Sequence, residues 1–178
     1  MARKTKQDWL DEGLALLEEE GAGRLKIDVL KARLGVTKGS FYHHFKNFQD
    51  YKTNLLAYYE EARTLQVIAL VEGEETAVQR LNRIFDVTAQ ASAKLEVALR
   101  AWSLQDDEVR QYQTRIDTQR LGYAKALFFE MTQDKQQAKL MSQILYTLYI
   151  GCSQLLPPIQ GDSLDDLYEE FKRLYGLD

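Results

Sequence analysis

The sequence predicts an all-α protein, with a three-helix head at its amino terminus and a longer helical body behind it. Three observations carry this. Helix breakers are scarce: 178 residues hold ten glycines and only two prolines, the adjacent Pro157 and Pro158, and such scarcity favours long helices. Apolar residues recur at helical spacing in one segment after another. Finally, the stretch from Ile27 to Phe45 reads as two short amphipathic segments separated by one glycine.

Arg3, Lys4 and Lys6 form a short basic arm, read as a solvated terminus or as a contact to a phosphate backbone. The first helix is expected from about Gln7 to Glu20, with Leu10, Leu14 and Leu17 inward and Trp9 beside them. Glu18, Glu19 and Glu20 lie at the negative end of its dipole, a mildly unfavourable place, and read as a solvated face. Ile27, Leu30 and Leu34 share one face of the second helix. Gly35 stands where a helix stop needs positive φ. Val36 plugs the corner, and Thr37 is the expected N-cap of the third helix. Phe41 and Phe45, at i and i+4, face inward, which leaves Lys38, Gly39, Ser40, Tyr42 and His43 outward.

Two short helices joined by a tight glycine turn make a helix-turn-helix, whose second helix enters the DNA major groove. Lys38 can donate to guanine or phosphate, Ser40 can bond several base edges, and Gly39 permits close approach. Tyr42, His43 and His44 carry tips suited to phosphates. On periodicity alone, two small packed helices with an ordinary polar face fit equally well.

Asn47, with Asp50 three residues on, opens a fourth helix expected to run to about Glu72 along Tyr51, Leu55, Tyr58, Ala62, Leu65 and Ala69. Gly73 to Glu75 breaks it. Thr76 to about Gln90 is the next helix, followed by a shorter apolar segment from Leu95 to Leu104 containing Trp102. Asp106, Asp107 and Glu108 sit where a helix amino terminus favours acids, and that helix should reach about Met131. The segment from Lys135 to Leu156 is the most apolar, with one stripe through Leu140, Met141, Ile144, Leu145, Leu148, Cys152 and Leu155 and another through Tyr146, Tyr149 and Ser153. Two apolar faces need two things to bury against. After the double proline, Ser163 with Asp165 and Asp166 is the expected cap of a last helix bearing Leu164, Leu167, Tyr168, Phe171 and Leu174.

A hydrophobic content of 45% with 28% charged residues describes an ordinary globular chain. No apolar run approaches bilayer length, and MARKTKQDWL has no hydrophobic signal core, so a cytoplasmic location is expected. Cys152 is the only cysteine, which excludes an internal disulfide and reads as a small buried residue. The net charge is −4. Its distribution matters more: Arg24, Lys26, Lys31, Arg33, Lys38, Lys46 and Lys52 face only Asp28 and Asp50 between residues 21 and 53. A basic patch on an acidic body suits a DNA reader. Enzymatic readings are poor. The only histidines, His43 and His44, diverge by about 100° on a helix and form no i, i+4 metal pair. No hydrolase, zinc-protease or nucleotide motif occurs, so no catalytic residue, metal or cofactor is expected.

The segment GVTKGSFYHHF resembles the recognition-helix signature of the tetracycline-repressor (TetR) family, in the variant L-G-V-T-x-G-S-F-Y-x-H-F. The similarity extends back through WLDEGLALLEEEGAGRLKIDVLKARL and covers about the first fifty residues. Lys26 stands where many members have Thr, and Phe48 where many have Lys. The resemblance implies a DNA-binding domain over 1–46 and an effector-binding and dimerisation domain over 47–178. It implies a homodimer on a palindromic operator, most often a repressor, paired through its last two long helices. It places Lys26, Thr37, Lys38, Gly39, Ser40, Tyr42, His43, His44 and Lys46 on the DNA-facing surface.

For the effector, Trp102, Tyr123, Phe128, Tyr146 and Tyr149 supply aromatic surface, with Asp117 and Arg120 as polar partners at i, i+3. Plain core or dimer interface is the alternative for each aromatic. Met141, Leu145, Leu148, Cys152, Leu167 and Phe171 are the candidate dimer residues. Two functions stay open: a DNA-binding regulator controlled by a small-molecule effector, and a helical module that keeps the fold but works through protein contacts.

Overall fold

Thr5 opens the first helix by a reciprocal cap. Its hydroxyl accepts from the Asp8 amide at 3.1 Å, and the Asp8 carboxylate accepts from the Thr5 amide at 2.6 Å. The computed structural model describes residues 4–177, so Arg3 lies outside the described residues. All elements among them are helical: α1 (Lys6–Glu20), α2 (Ile27–Leu34), α3 (Lys38–His44), α4 (Phe48–Glu60), α5 (Gln66–Val71), α6 (Ala77–Gln90), α7 (Ala93–Ser103), α8 (Asp107–Thr132), α9 (Lys135–Gln154) and α10 (Asp162–Tyr175). A 3₁₀ turn, Ala22–Arg24, follows α1. No helix among the described residues is long and apolar enough to cross a membrane.

The chain forms two compact units. One comprises the chain through Ala62 together with Lys94–Gln113; the other comprises Arg63–Ala93 and residues from Thr114 on. Packing thus groups α4 and α7 with the head.

The core of the first unit is aromatic. Trp9 meets Phe41 edge-on at 5.3 Å, and Phe45 meets Tyr51 edge-on at 5.0 Å. In α1 the buried positions are Trp9, Leu10, Gly13, Leu16 and Leu17; Leu14, expected inside, is only half-buried. Gly13 is required by its neighbours. An added Cβ would lie 1.9 Å from the Tyr51 hydroxyl, and that hydroxyl is held by donating to the Trp9 carbonyl at 3.0 Å. Alanine is otherwise the better helix former by about 1 kcal/mol, so Gly13→Ala poses a clean contest. Overpacking wins: the variant is expected to lose about 2 kcal/mol in chemical denaturation.

Three polar ties complete this unit. Arg33 pairs with Glu12, with Glu19 at 2.8 Å and with Glu20 at 3.3 Å. The acids at the end of α1 are therefore partnered, not merely solvated as expected. Lys52, only 8% exposed, pairs with Asp106 and Glu108 at 2.8 Å each. Glu96, buried on α7, accepts from the Tyr59 hydroxyl at 2.6 Å and from Arg100 at 2.8 Å.

The fourth helix holds a correction. Asn47 caps it as expected, accepting from the Asp50 amide at 2.9 Å, but a π turn, Glu61–Leu65, interrupts it. Thr64 within this turn is buried, and Leu65 and Ala69, expected inside, are exposed.

The second unit is built on Phe85, Phe128, Met141, Leu145, Tyr168 and Phe171. Phe85 stacks on Tyr168 at 4.2 Å, and the Tyr168 hydroxyl sits 3.0 Å from that of Thr88. Thr76 caps α6 reciprocally with Gln79. Asp134 caps α9, accepting from the Gln136 amide at 2.7 Å and the Gln137 amide at 3.0 Å. Ser163 does not cap α10. That helix starts two residues earlier, at Asp162 behind Gly161 at φ 57°, a conformation open to glycine at no steric cost.

Candidate nucleic-acid interface

Gly35 ends α2 in the left-handed conformation, φ 66° and ψ 36°. The Val36 amide then closes on the Lys31 carbonyl at 3.0 Å. This turn aims α3. Phe41 and Phe45 are 0% and 1% exposed, so two buried rings fix the rotation of α3 about its axis. Lys38, Gly39, Tyr42 and His43 are consequently exposed and Ser40 half-buried. Thr37 occupies the N-cap position, but its hydroxyl makes no capping bond. That cap bond was expected; the site does without it.

Gly39 is informative. A Cβ added there would meet only the Thr37 hydroxyl, at 3.7 Å, an ordinary contact. The chain's own packing does not need this glycine, so its small size is available to something outside.

The local excess of cations shrinks on folding. Arg24 pairs with Glu20 at 2.9 Å, Lys31 with Asp28 at 2.9 Å, Arg33 with the acids of α1, and Lys52 with Asp106 and Glu108. Among the described residues, Lys26, Lys38 and Lys46 are the cations of that stretch left exposed and outside ion pairs. Lys46 has its amide held by the Asp50 carboxylate at 2.8 Å. His44 is half-buried, and its Nε2 donates to the Lys4 carbonyl at 2.9 Å. Phe48 packs on Tyr51 at 5.9 Å, so this residue serves the core.

The effector candidates divide. Tyr146 donates to Asp117 at 2.8 Å and stacks with Tyr149 at 6.3 Å. Arg120 donates through Nε to the Thr64 hydroxyl at 3.1 Å and through a terminal nitrogen to the Arg63 carbonyl at 3.2 Å, gripping the π turn. Tyr123 donates to Glu72; burial, then that bond, pushes its pKa above the ordinary tyrosine value. Phe128 is fully buried and belongs to the core of the second unit. Trp102 packs against the core of the first. Thr64 and Glu72 are not among the residues the sequence singles out; the only signal for Thr64 is a polar residue off the expected stripe.

The dimer candidates divide by burial. Met141, Leu145, Cys152 and Phe171 are between 1% and 7% exposed, closed within the chain's own core. Leu148 and Leu167 are half-buried. The outward apolar face of α9 instead carries Leu140, Ile144 and Leu155, 48%, 45% and 51% exposed. A groove of about 620 Å³ runs there, lined by Ile144, Leu148, Gly151, Leu155, Ile159 and Leu167 among others.

Residues 10–50 match the family profile described as bacterial regulatory proteins, tetR family. No curated protein sequence matches the chain. Its fold is shared with several solved structures. A TetR/AcrR family member described as a transcriptional regulator has a TM-score of 0.82 at 21% identity, over 97% of this chain and 98% of that one. A regulator from Saccharomonospora viridis in complex with choline gives 0.77 at 16%, over 94% and 93%. FadR from Bacillus subtilis in complex with stearoyl-CoA gives 0.72 at 17%, over 96% and 97%. Residues 10–50 thus match the profile of the tetR family of bacterial regulatory proteins, and the chain shares its fold with solved structures described as TetR/AcrR-family transcriptional regulators.

Proposed function

We propose that the chain is a DNA-binding transcriptional regulator, a repressor acting in the cytoplasm as a homodimer on a palindromic operator, with its DNA affinity set by a small-molecule effector. The observation that carries the reading is α3: two buried rings hold a helix whose exposed side bears Lys38, Gly39, Ser40 and Tyr42, flanked by the exposed Lys26 and Lys46. Residues 1–46 act on DNA and residues 47–178 on effector and partner. Similar folds holding choline and stearoyl-CoA support an effector, and neither ligand is assigned to this chain. Asp117, Tyr146 and Tyr149 are the candidate effector residues that the structure brings together, and Arg120 holds the helix leading to the head. An effector must bind two conformations with different affinity to shift the DNA equilibrium.

Lys38 and Ser40, in the first turn of α3, are assigned to base edges. Lys26, Tyr42, His44 and Lys46 are assigned to phosphates. Lys38→Ala should cost about 1–3 kcal/mol on the preferred site and relax preference there. Lys46→Ala should weaken binding evenly on all sequences and lower the salt slope by about one unit. Titration of both variants on selected and scrambled duplexes at several salt concentrations checks the split. Reversed behaviour exchanges the roles, and wild-type binding with no salt dependence points to a protein-contact module instead.

A further inference from the structure

Chain ends are ordinarily poorly ordered unless something ties them down. Here three consecutive residues ahead of and entering α1 are each held by a different anchor. The Lys4 carbonyl accepts from His44 Nε2 at 2.9 Å. Thr5 is locked in its reciprocal cap with Asp8. The Lys6 ammonium donates to Asn54 at 2.7 Å and lies 5.6 Å from the centre of the Phe45 ring. Two of these anchoring residues, His44 and Phe45, stand at the carboxyl-terminal end of α3.

The two cations differ in consequence. Lys6 is engaged internally. Lys4 is half-buried and hydrogen-bonded through its backbone carbonyl, which sits at the end of α3 where the chain runs on to Lys46; its charge is felt by the Asp8 carboxylate, but it makes no ion pair among the described residues. We propose that the amino-terminal arm is a further DNA contact, in which Lys4 meets a phosphate beside the recognition helix and His44 is the positioning residue that holds it there. The inference rests on the DNA-binding reading. It moves His44 from the phosphate contacts to a role exerted through Lys4.

The test uses the full chain and a mixed-sequence duplex, with affinity measured across a range of salt concentrations. Lys4→Ala should lower the salt slope by about one unit. His44→Phe keeps a ring but loses the donor and should lower it equally, whereas His44→Gln, which retains an N–H donor, should recover part of the loss. The double variant Lys4→Ala, His44→Phe should fall no further than either single change. Thermal unfolding of each variant separates loss of the contact from loss of the fold. Additive losses would make His44 an independent contact and overturn its positioning role. Wild-type binding with an unchanged slope in Lys4→Ala overturns the arm while leaving the DNA-binding reading intact; no binding by the wild type overturns both.

Discussion

Lys52→Met is expected to destabilise the protein by about 3 kcal/mol at neutral pH, because it strands two carboxylates that lie mostly out of water. Asp106 and Glu108 each lie 2.8 Å from the Lys52 ammonium, with their side chains only about a quarter exposed. Burial opposes ionisation of all three groups, yet their mutual bonds win. Lys52 is held above its ordinary pKa, and Asp106 and Glu108 are held below theirs. The linkage has a definite sign. The carboxylates contribute stability above their ordinary values of 3.8 and 4.5, and that contribution disappears as pH falls through their lowered ones. The lysine contribution is complete below 10.5 and disappears only as pH rises through its raised value. The gap between wild type and Lys52→Met should therefore be widest near neutrality and close as acid neutralises the carboxylates. Urea denaturation at pH 7 and at successively lower pH measures it. A gap independent of pH would mean that Lys52 acts by packing its stem alone.

Ile144→Arg is expected to yield a folded monomer. Ile144 is 45% exposed in the isolated chain, so an arginine there is tolerated by the protomer. In a dimer formed through the outward face of α9 the same charge would be buried without a partner, at about 3–5 kcal/mol. Met141→Arg supplies the contrast, since Met141 is 1% exposed within the chain's own core and its replacement should unfold the protomer itself. Sedimentation and circular dichroism separate these outcomes. An Ile144→Arg protein that sediments as the wild type does would remove this face from the proposed interface.

Much of the fold is legible in the chain because its signals are local. Gly35 at positive φ, the inward pair Phe41 and Phe45, the cap Asn47, and the ends of α8 are set by a few neighbouring residues. The outward residues of α3 follow at once from that inward pair, so the order of residues alone marks out the candidate DNA surface. The π turn after Glu60 is not legible in this way, since its sequence carries no breaker. It is found with Arg120 bonding Thr64 and the Arg63 carbonyl from more than fifty positions away.

The amino-acid sequence by itself determined that the chain is helical, where most helices begin and end, and which side of α3 faces out. Periodicity, caps and glycine conformation act over one or two turns. Only the tertiary structure decided which apolar face of α9 is core and which is left outward, because amphipathicity marks a face for burial without naming what buries it. It also decided which cations stay outside ion pairs. Arg33 is neutralised by α1, and Lys52 by acids more than fifty residues away. Ion pairs depend on distance in space, which a count along the chain does not contain.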